Sequence, residues 1–459
     1  MTHRFNPTIL REYDIRGIVG DTLTEADAYA LGRTFAALAL DEGARRIAVG
    51  RDGRTHSGML EAALIRGLTE GGIDVVQIGM GPSPMLYFAT YYLEVDGGMQ
   101  VTGSHNPADY NGFKLLLKGR SVFGEEIQAI GRRSAAGDWT GGNGTVEEVD
   151  IREAYVDRLI EGFSGKAYRI GWDAGNGAAG PILDMLVERL PGQHHVIFSK
   201  VDGTFPNHHP DPTVEKNLAD LKALVALEQL DFGIAFDGDG DRIGAVDGKG
   251  RVIWGDQLLA ILAEAVLKEN PGATIIADVK ASQVLFDRVA ELGGKPLMWK
   301  TGHSLIKSKM KETGAPLAGE MSGHVFFKHR WYGFDDALYA AVRLIEAVSH
   351  SGKSLTEIMD AMPKTTATPE MRFEVDESRK FTIIDEVRDR LGADGAKVDA
   401  TDGVRVSTSD GWWLLRASNT QDVLVARAEA TDQAGLDRLV GQIDGQLAKS
   451  GVSRVDAGH

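Results

Sequence analysis

The chain has 459 residues, 43% hydrophobic and 25% charged, which is the make-up of a folded protein long enough for about three domains. Its 66 acidic residues against 50 basic ones leave a net charge of −16, which argues against a nucleic-acid partner while allowing a few cations to focus on one small anion. There is no cysteine, so disulfides, thiolate catalysis and cysteine-ligated metals are excluded.

The start, MTHRFNPTILREYD, has no apolar core of signal-peptide length, and the most apolar helical stretch, LLAILAEAVL at 258–267, carries charge and is too short for a membrane span. A cytoplasmic address with no membrane partner is the expectation. Next, REYDIRG brings Tyr13 and Arg16. One pattern then recurs three times: apolar strand, small or polar turn, amphipathic helix, glycine stop, second apolar strand. The first copy is RRIAVGRDGR, SGMLEAALIRGLTEGG, IDVVQIGMGPSP; the second YRIGWDAGNGAAG, PILDMLVERLPG, HHVIFSKVDG; the third ATIIADVK, ASQVLFDRVAELGG, KPLMWKTGHS. Each continues through another helix to a further strand, and these strands end in GMQVTGSHNP, FGIAFDGDGDR and APLAGEMSGH. Alternating strands and helices predict mostly parallel α/β sheets, whose ligands bind beyond the carboxyl ends of strands. Three unusual polar loops at equivalent places therefore predict one shared cleft. From Thr366 the texture changes to strand, helix, three strands and a closing helix, an α+β domain. Domain ranges of 1–150, 151–252, 253–365 and 366–459 follow.

Two stretches offer rival chemistries. GNGAAG, from Gly175 to Gly180, fits the dinucleotide-binding pattern with Asp202 as a ribose acid, but the other two copies of the repeat lack those glycines. In PNHHPDP, at 206–212, adjacent histidines point apart in an extended loop, so a proline-framed loop is expected rather than a metal site.

The loops themselves suggest phosphoryl chemistry. In FDGDGDR, Asp237, Asp239 and Asp241 alternate with glycines, so their carboxylates converge and repel unless a hard cation sits among them. An EF-hand is excluded because Arg242 and Gly248 hold its glycine and glutamate positions. Three oxygens with open positions suit Mg²⁺ shared with a phosphate, and Arg242 stands ready for the same anion. In GEMSGH, Glu320 and Ser322 can grip sugar hydroxyls, with His324 adding a proton or a hydrogen bond. In VTGSHNP, the turn presents the hydroxyl of Ser104, with His105 and Asn106 expected to fix it and Pro107 to keep it out of helix. Tyr13, Arg16, Lys114 and His303 matter if they meet in the same cleft. In WWLLRASNTQD, Arg416, Ser418, Asn419 and Thr420 can hold a phosphate by a fixed guanidinium and backbone amides.

In their order and separations, YDIRG, TGSHNP, DGDGDR, GEMSGH and RASNTQD closely resemble the α-D-phosphohexomutase superfamily, in particular its bacterial phosphomannomutase/phosphoglucomutase branch. The resemblance spans essentially the whole chain. It implies three similar mixed-sheet α/β domains and a smaller C-terminal α+β domain around a central cleft. It also implies exchange of hexose 1-phosphate and hexose 6-phosphate through a phosphoserine at Ser104 and a 1,6-bisphosphate that reorients in the cleft. By the same resemblance Mg²⁺ sits on Asp237, Asp239, Asp241 and phospho-Ser104, and glucose 1,6-bisphosphate acts as activator. Glu320 and Ser322 contact the sugar, and Arg416, Ser418, Asn419 and Thr420 bind the phosphate that is not transferred. Tyr13, Arg16, His105, Lys114, Arg242, Lys280, His303 and His324 line the cleft, with proton transfer shared among Lys114, Arg16, His303 or His324. Met321 stands where relatives acting on glucosamine phosphate commonly carry Gln, so glucose and mannose phosphates are the implied substrates. Sugar phosphates are the implied partners of a monomer or weak oligomer.

Overall fold

A computed structural model describes residues 2–419 and 421–453. The three repeats fold alike. In the first, Arg46–Arg51 lies parallel to both Asp74–Met80 and Gly97–Val101. In the second, Tyr168–Asp173 lies parallel to Gly192–Ile197 and Phe232–Phe236. In the third, Thr274–Asp278 lies parallel to Lys295–Trp299 and Leu317–Gly319. Each sheet then turns back on itself, with an antiparallel strand at Tyr110–Leu117, Ile243–Asp247 or Val325–Phe327. The three polar loops are these turns. A strand buried on both faces must leave the sheet at its carboxyl end, and there each loop releases its functional side chains toward the others.

The fourth sheet is antiparallel and has six strands, with Val423–Ala430 and Gly411–Ala417 at its centre. KVDATDGVRVSTSD, read from sequence as one strand, holds two, Lys397–Asp399 and Val404–Ser407, joined by a turn at Gly403. The short intervening segment ATDG hides the reversal from a reading based on hydrophobic pattern. Val252–Ile253 pairs in the second sheet and so straddles the expected boundary at 252/253. Among the described residues no helix is long and apolar enough to cross a membrane.

The cores show which domains share their packing. One cluster runs from Tyr87 and Phe88 of the first domain through Trp172 and Phe236 of the second to Leu259 and Phe327 of the third. The fourth domain has its own core around Trp413, Leu415 and Val387. Its apolar contact with the rest reduces to a cluster of Val279, Trp412 and Leu414. Polar contacts make up most of the rest of this interface: Arg405 donates to the Val279 and Ala281 carbonyls at 2.6 and 2.8 Å, and Ser282 donates to Glu429 at 2.8 Å.

Asp336 shows how tightly the shared core constrains a charge. Its carboxylate caps the helix Ala337–Ser351 by accepting from the Tyr339 amide at 2.9 Å, and it accepts from the Tyr155 hydroxyl at 2.8 Å. Burial pushes this carboxyl up to about 7. Between its usual value and 7 the folded protein keeps a proton that the unfolded chain has released, so stability falls as pH rises through that window. Asp336→Asn is therefore expected to lower the melting temperature most at pH 5 and least at pH 8. A penalty that stays constant across that range contradicts the assignment.

Candidate active site

Ser104 sits where the strand Gly97–Val101 ends, with a positive φ of 49°. It is only 2% exposed. That backbone region is uncommon for a residue with a side chain, so the surrounding structure must hold it. Thr102 Oγ1 accepts from the Ser104 amide at 2.8 Å, and Asp52 accepts from Thr102 Oγ1 at 2.9 Å and from the Gly103 amide at 3.0 Å. The serine hydroxyl lies 3.2 Å from Asp237 Oδ2 and 3.2 Å from His105 Nδ1.

The acidic loop approaches this turn edge to edge. A Cβ on Gly238 would lie 2.4 Å from the Ser104 carbonyl oxygen, so only glycine fits there. Asp237, Asp239 and Asp241 are fully buried, and one ligand atom of each lies within 4.8 Å of the others. Asp237 Oδ1 accepts from the amides of Asp241 and Arg242, both at 3.1 Å. Lys114 bonds Asp239 Oδ2 at 2.6 Å and also bonds Asp241, and Ser83 donates to Asp239. Burial, with repulsion from Asp239 and Asp241, pushes the Asp237 carboxyl well above its usual range. Burial also presses Asp239 upward, but the Lys114 ammonium outweighs it and holds that carboxyl below the usual range. Asp239 Oδ1 and Asp241 Oδ1 are buried without a hydrogen-bond partner. Buried oxygens left without a donor are what a hard cation satisfies, so the residues present fit Mg²⁺. Mg²⁺ is expected to raise the melting temperature and Asp239→Asn to remove most of that rise, read by thermal-shift titration. An unchanged metal response in the variant removes Asp239 from the site.

The third loop closes the group from the other side. Arg242 and His324 form a backbone bridge, and Arg242 Nε lies 3.1 Å from His324 Nε2. His324 Nδ1 lies 3.1 Å from Asp335 Oδ2, and Lys307 holds the other oxygen of Asp335 at 3.1 Å. His303 stacks on His324 with ring centres 5.6 Å apart, and Tyr13 meets His303 edge-on. Burial, reinforced by Lys307, holds His303 well below the usual imidazole range; burial with Arg242 and Arg16 does the same to His105. Glu320 accepts from the Gly302 amide at 2.7 Å, and burial raises its carboxyl.

The fourth domain completes the enclosure. Asp402 Oδ2 accepts from Arg416 Nε at 2.9 Å and from the Thr301 amide of the third domain at 3.0 Å. Asn419 donates to the Tyr13 hydroxyl at 2.7 Å, which itself donates to the Thr301 carbonyl at 2.9 Å. All four domains thus border one cleft of about 1900 Å³. Into it open Ser104, His105, Arg16 and Lys114 from the first domain, Arg242 from the second, and Lys280, His303, Glu320, Ser322 and His324 from the third. Tyr13, Arg416, Ser418 and Asn419 border it as well, with Asn419 donating to the Tyr13 hydroxyl. Arg16, Lys114, Arg242, Lys280 and Arg416 among them can pair with a small anion.

Comparison with known proteins follows the same division. Residues 7–140, 153–250 and 254–366 match alpha/beta/alpha domains I, II and III of phosphoglucomutase/phosphomannomutase, and residues 370–446 match its C-terminal domain. A phosphomannomutase/phosphoglucomutase of Pseudomonas aeruginosa is 48% identical over 94% of this chain and 94% of its own. The chain belongs to the phosphoglucomutase/phosphomannomutase family. A phosphoglucomutase of Neisseria gonorrhoeae is 45% identical over 94% of this chain and 95% of its own. The crystal structure of a phosphoglucomutase/phosphomannomutase family protein from Burkholderia thailandensis superposes with a TM-score of 0.93 at 43% identity, covering 98% of this chain and 99% of that one. As a phosphoglucomutase/phosphomannomutase family member, the chain is a mutase of the phosphotransferase type.

Within this mutase, the residues singled out from sequence come together, apart from Thr420, which lies outside the described residues. The GNGAAG stretch packs on the acidic loop, with the Ala178 amide bonded to the Gly238 carbonyl at 2.9 Å, so it leaves no berth for a dinucleotide. In the histidine pair, His208 turns inward to Asp173 at 2.9 Å, while His209 borders the cleft. In the serine turn the Asn106 amide donates to the Gly103 carbonyl at 3.0 Å and His105 Nδ1 lies 3.2 Å from the Ser104 hydroxyl, while Asn106 Oδ1 also accepts from Arg16; Asp52 and Arg54 hold the turn from outside it. Sequence reading missed Asp52, Arg54, Asp335 and Asp402. The GRDGR run at the end of the first repeat strand was the available signal for the first two, since a strand's carboxyl end is where this architecture places function.

Proposed function

We propose that this chain interconverts the 1- and 6-phosphates of glucose and mannose through a phosphoserine at Ser104 and a hexose 1,6-bisphosphate that turns around in the cleft. The observation that carries this reading is the placement of Ser104. Its hydroxyl is 3.2 Å from Asp237 at a cleft that Arg416 of the fourth domain also borders.

In the first half-reaction the free hydroxyl oxygen of the bound hexose phosphate bonds to phosphorus as the bond from phosphorus to Ser104 Oγ breaks. The proton lost by that hydroxyl ends on Oγ. The second half-reaction reverses these changes at the sugar's other end, so no phosphate is released. Asp237, Asp239 and Asp241 would hold Mg²⁺ together with the serine-borne phosphate, and the ion supplies positive charge to the phosphoryl oxygens in transfer. Arg242, Lys114 and Arg16 add fixed positive charge beside the same oxygens. Lys114, Arg16, His303 and His324 all border the cleft, and proton transfer is shared among them.

Arg416, Ser418 and Asn419, continued by Thr420, anchor the phosphate that stays, while Glu320 and Ser322 grip hydroxyls that two orientations of the sugar can present. Reorientation needs room. The separate core of the fourth domain permits its movement without disturbing the serine and acidic loops. Glucose 1,6-bisphosphate serves as activator by returning a phosphoryl group to an unphosphorylated Ser104. A cytoplasmic setting and a monomeric or weakly oligomeric state, with sugar phosphates as the only partners, complete the proposal.

Incubation with labelled glucose 1,6-bisphosphate followed by peptide mapping tests it. Label on the peptide containing Ser104, chased off by unlabelled glucose 1-phosphate, is the expected result. An active enzyme labelled elsewhere, or not at all, contradicts the covalent route.

A further inference from the structure

We infer that Arg54 is a positioning residue for phosphoryl transfer, the clamp that holds the Ser104 turn in its reactive shape. This inference rests on the reading of Ser104 as the phosphoryl carrier. Arg54 is 3% exposed, borders no substrate position in the cleft, and spends its guanidinium on one loop. Nη2 donates to the carbonyls of Ser104 at 2.8 Å and Asn106 at 2.6 Å, and Nη1 donates to those of Pro107 and Tyr110. Four carbonyls of the segment 104–110 thus converge on a single planar fork.

The rest of the surroundings fit that purpose. Asp52 lies 3.3 Å from Arg54 Nε and also accepts from Thr102 and the Gly103 amide, so one ion pair grips both ends of the turn. A Cβ on Gly103 would come within 2.4 Å of Arg54 Nε, so the guanidinium lies directly against the chain. The Phe205 ring of the second domain covers the guanidinium at 5.1 Å. The clamp therefore also ties the domain bearing Ser104 to the domain bearing the acidic loop.

The chemical logic is geometric. The turn runs through a positive φ at Ser104, a shape the chain does not keep unaided. Its alternatives would carry Oγ away from Asp237, and transfer is sensitive to displacements of an ångström. A guanidinium offers five donors in a rigid plane, whereas a lysine ammonium is a point charge that cannot span four carbonyls.

The test is steady-state and single-turnover kinetics of Arg54→Lys and Arg54→Ala beside the unaltered enzyme, with melting temperatures measured in parallel. Arg54→Lys is expected to lose about 100-fold in kcat and in the single-turnover rate of phosphoserine transfer, while KM for glucose 1-phosphate stays within about threefold. Added guanidinium ion should restore Arg54→Ala at least about tenfold, where potassium at equal ionic strength does not. Loss of stability alone would not produce that rescue. A folded Arg54→Lys with kcat within about threefold of the unaltered enzyme overturns the inference, as does a loss confined to KM. If Arg54→Ala does not fold, Arg54→Lys and Asp52→Asn decide by the same split between kcat and KM. An unaltered enzyme that isomerises nothing overturns the mutase reading and this role with it, whereas an active enzyme matched by Arg54→Lys overturns this role alone.

Discussion

Ser104→Ala is expected to abolish mutase turnover, with a loss of about 10⁴-fold or more, because the substitution removes the atom that carries the phosphoryl group. Binding should survive. Arg416, Lys280 and Glu320 reach the cleft from other elements, so glucose 1-phosphate should still bind to the variant with an affinity close to that of the unaltered protein. Stability should change by only about 1 kcal/mol, since the lost hydroxyl makes two bonds of 3.2 Å and the backbone clamp stays in place. Coupled-assay kinetics and calorimetric binding separate the two effects. Near-full turnover in the variant would rule out a covalent serine, and loss of binding together with turnover would show that the serine supports the site rather than reacts in it.

Gly238→Ala should be nearly as damaging without touching any reacting group. The added methyl would lie 2.4 Å from the Ser104 carbonyl oxygen, a backbone atom already held by Arg54. Neither side can yield by rotating a side chain, so the acidic loop must withdraw from the serine turn. A shift of about 1 Å between the phosphoryl carrier and its charge partners is enough to cost about 100-fold in turnover. Overpacking of this kind should lower stability by about 1–3 kcal/mol, leaving the protein folded. The expected pattern is a large fall in kcat, a weakened Mg²⁺ dependence and a modest drop in melting temperature. Turnover within a few-fold of the unaltered enzyme would mean that the two loops are not in mechanical contact during catalysis.

What is legible in the sequence shares a physical basis. Strand, turn and helix periods are local, so the threefold repeat and its three loops were readable from the order of apolar residues, and the cleft followed from where parallel strands end. DGDGDR was readable because carboxylates at alternate positions have no comfortable arrangement without a counter-charge. What remained hidden depends on contacts distant along the chain. Asp335 reaches His324 and Lys307 only when the third sheet has folded, and Asp402 joins Arg416 to Thr301 across a domain boundary. Arg54 was passed over for a related reason. A lone arginine after a strand reads as a solvated side chain, and nothing local says that four carbonyls 50 or more residues away will close around it. The hairpin of Lys397–Asp399 and Val404–Ser407 reads as one strand because a turn of few residues, centred on Gly403, breaks no hydrophobic pattern.

The proposed isomerisation keeps its bisphosphate in the cleft. It is tested most directly by supplying glucose 1-phosphate, mannose 1-phosphate and glucosamine 1-phosphate side by side, with Mg²⁺ and a trace of glucose 1,6-bisphosphate, and scoring 6-phosphate product against free phosphate. Glucose and mannose 6-phosphates with little free phosphate, and poor use of the glucosamine compound, are the expected result. Free phosphate without isomerised sugar would contradict it, since the same serine, acids and cations would then be hydrolysing the substrate rather than turning it around.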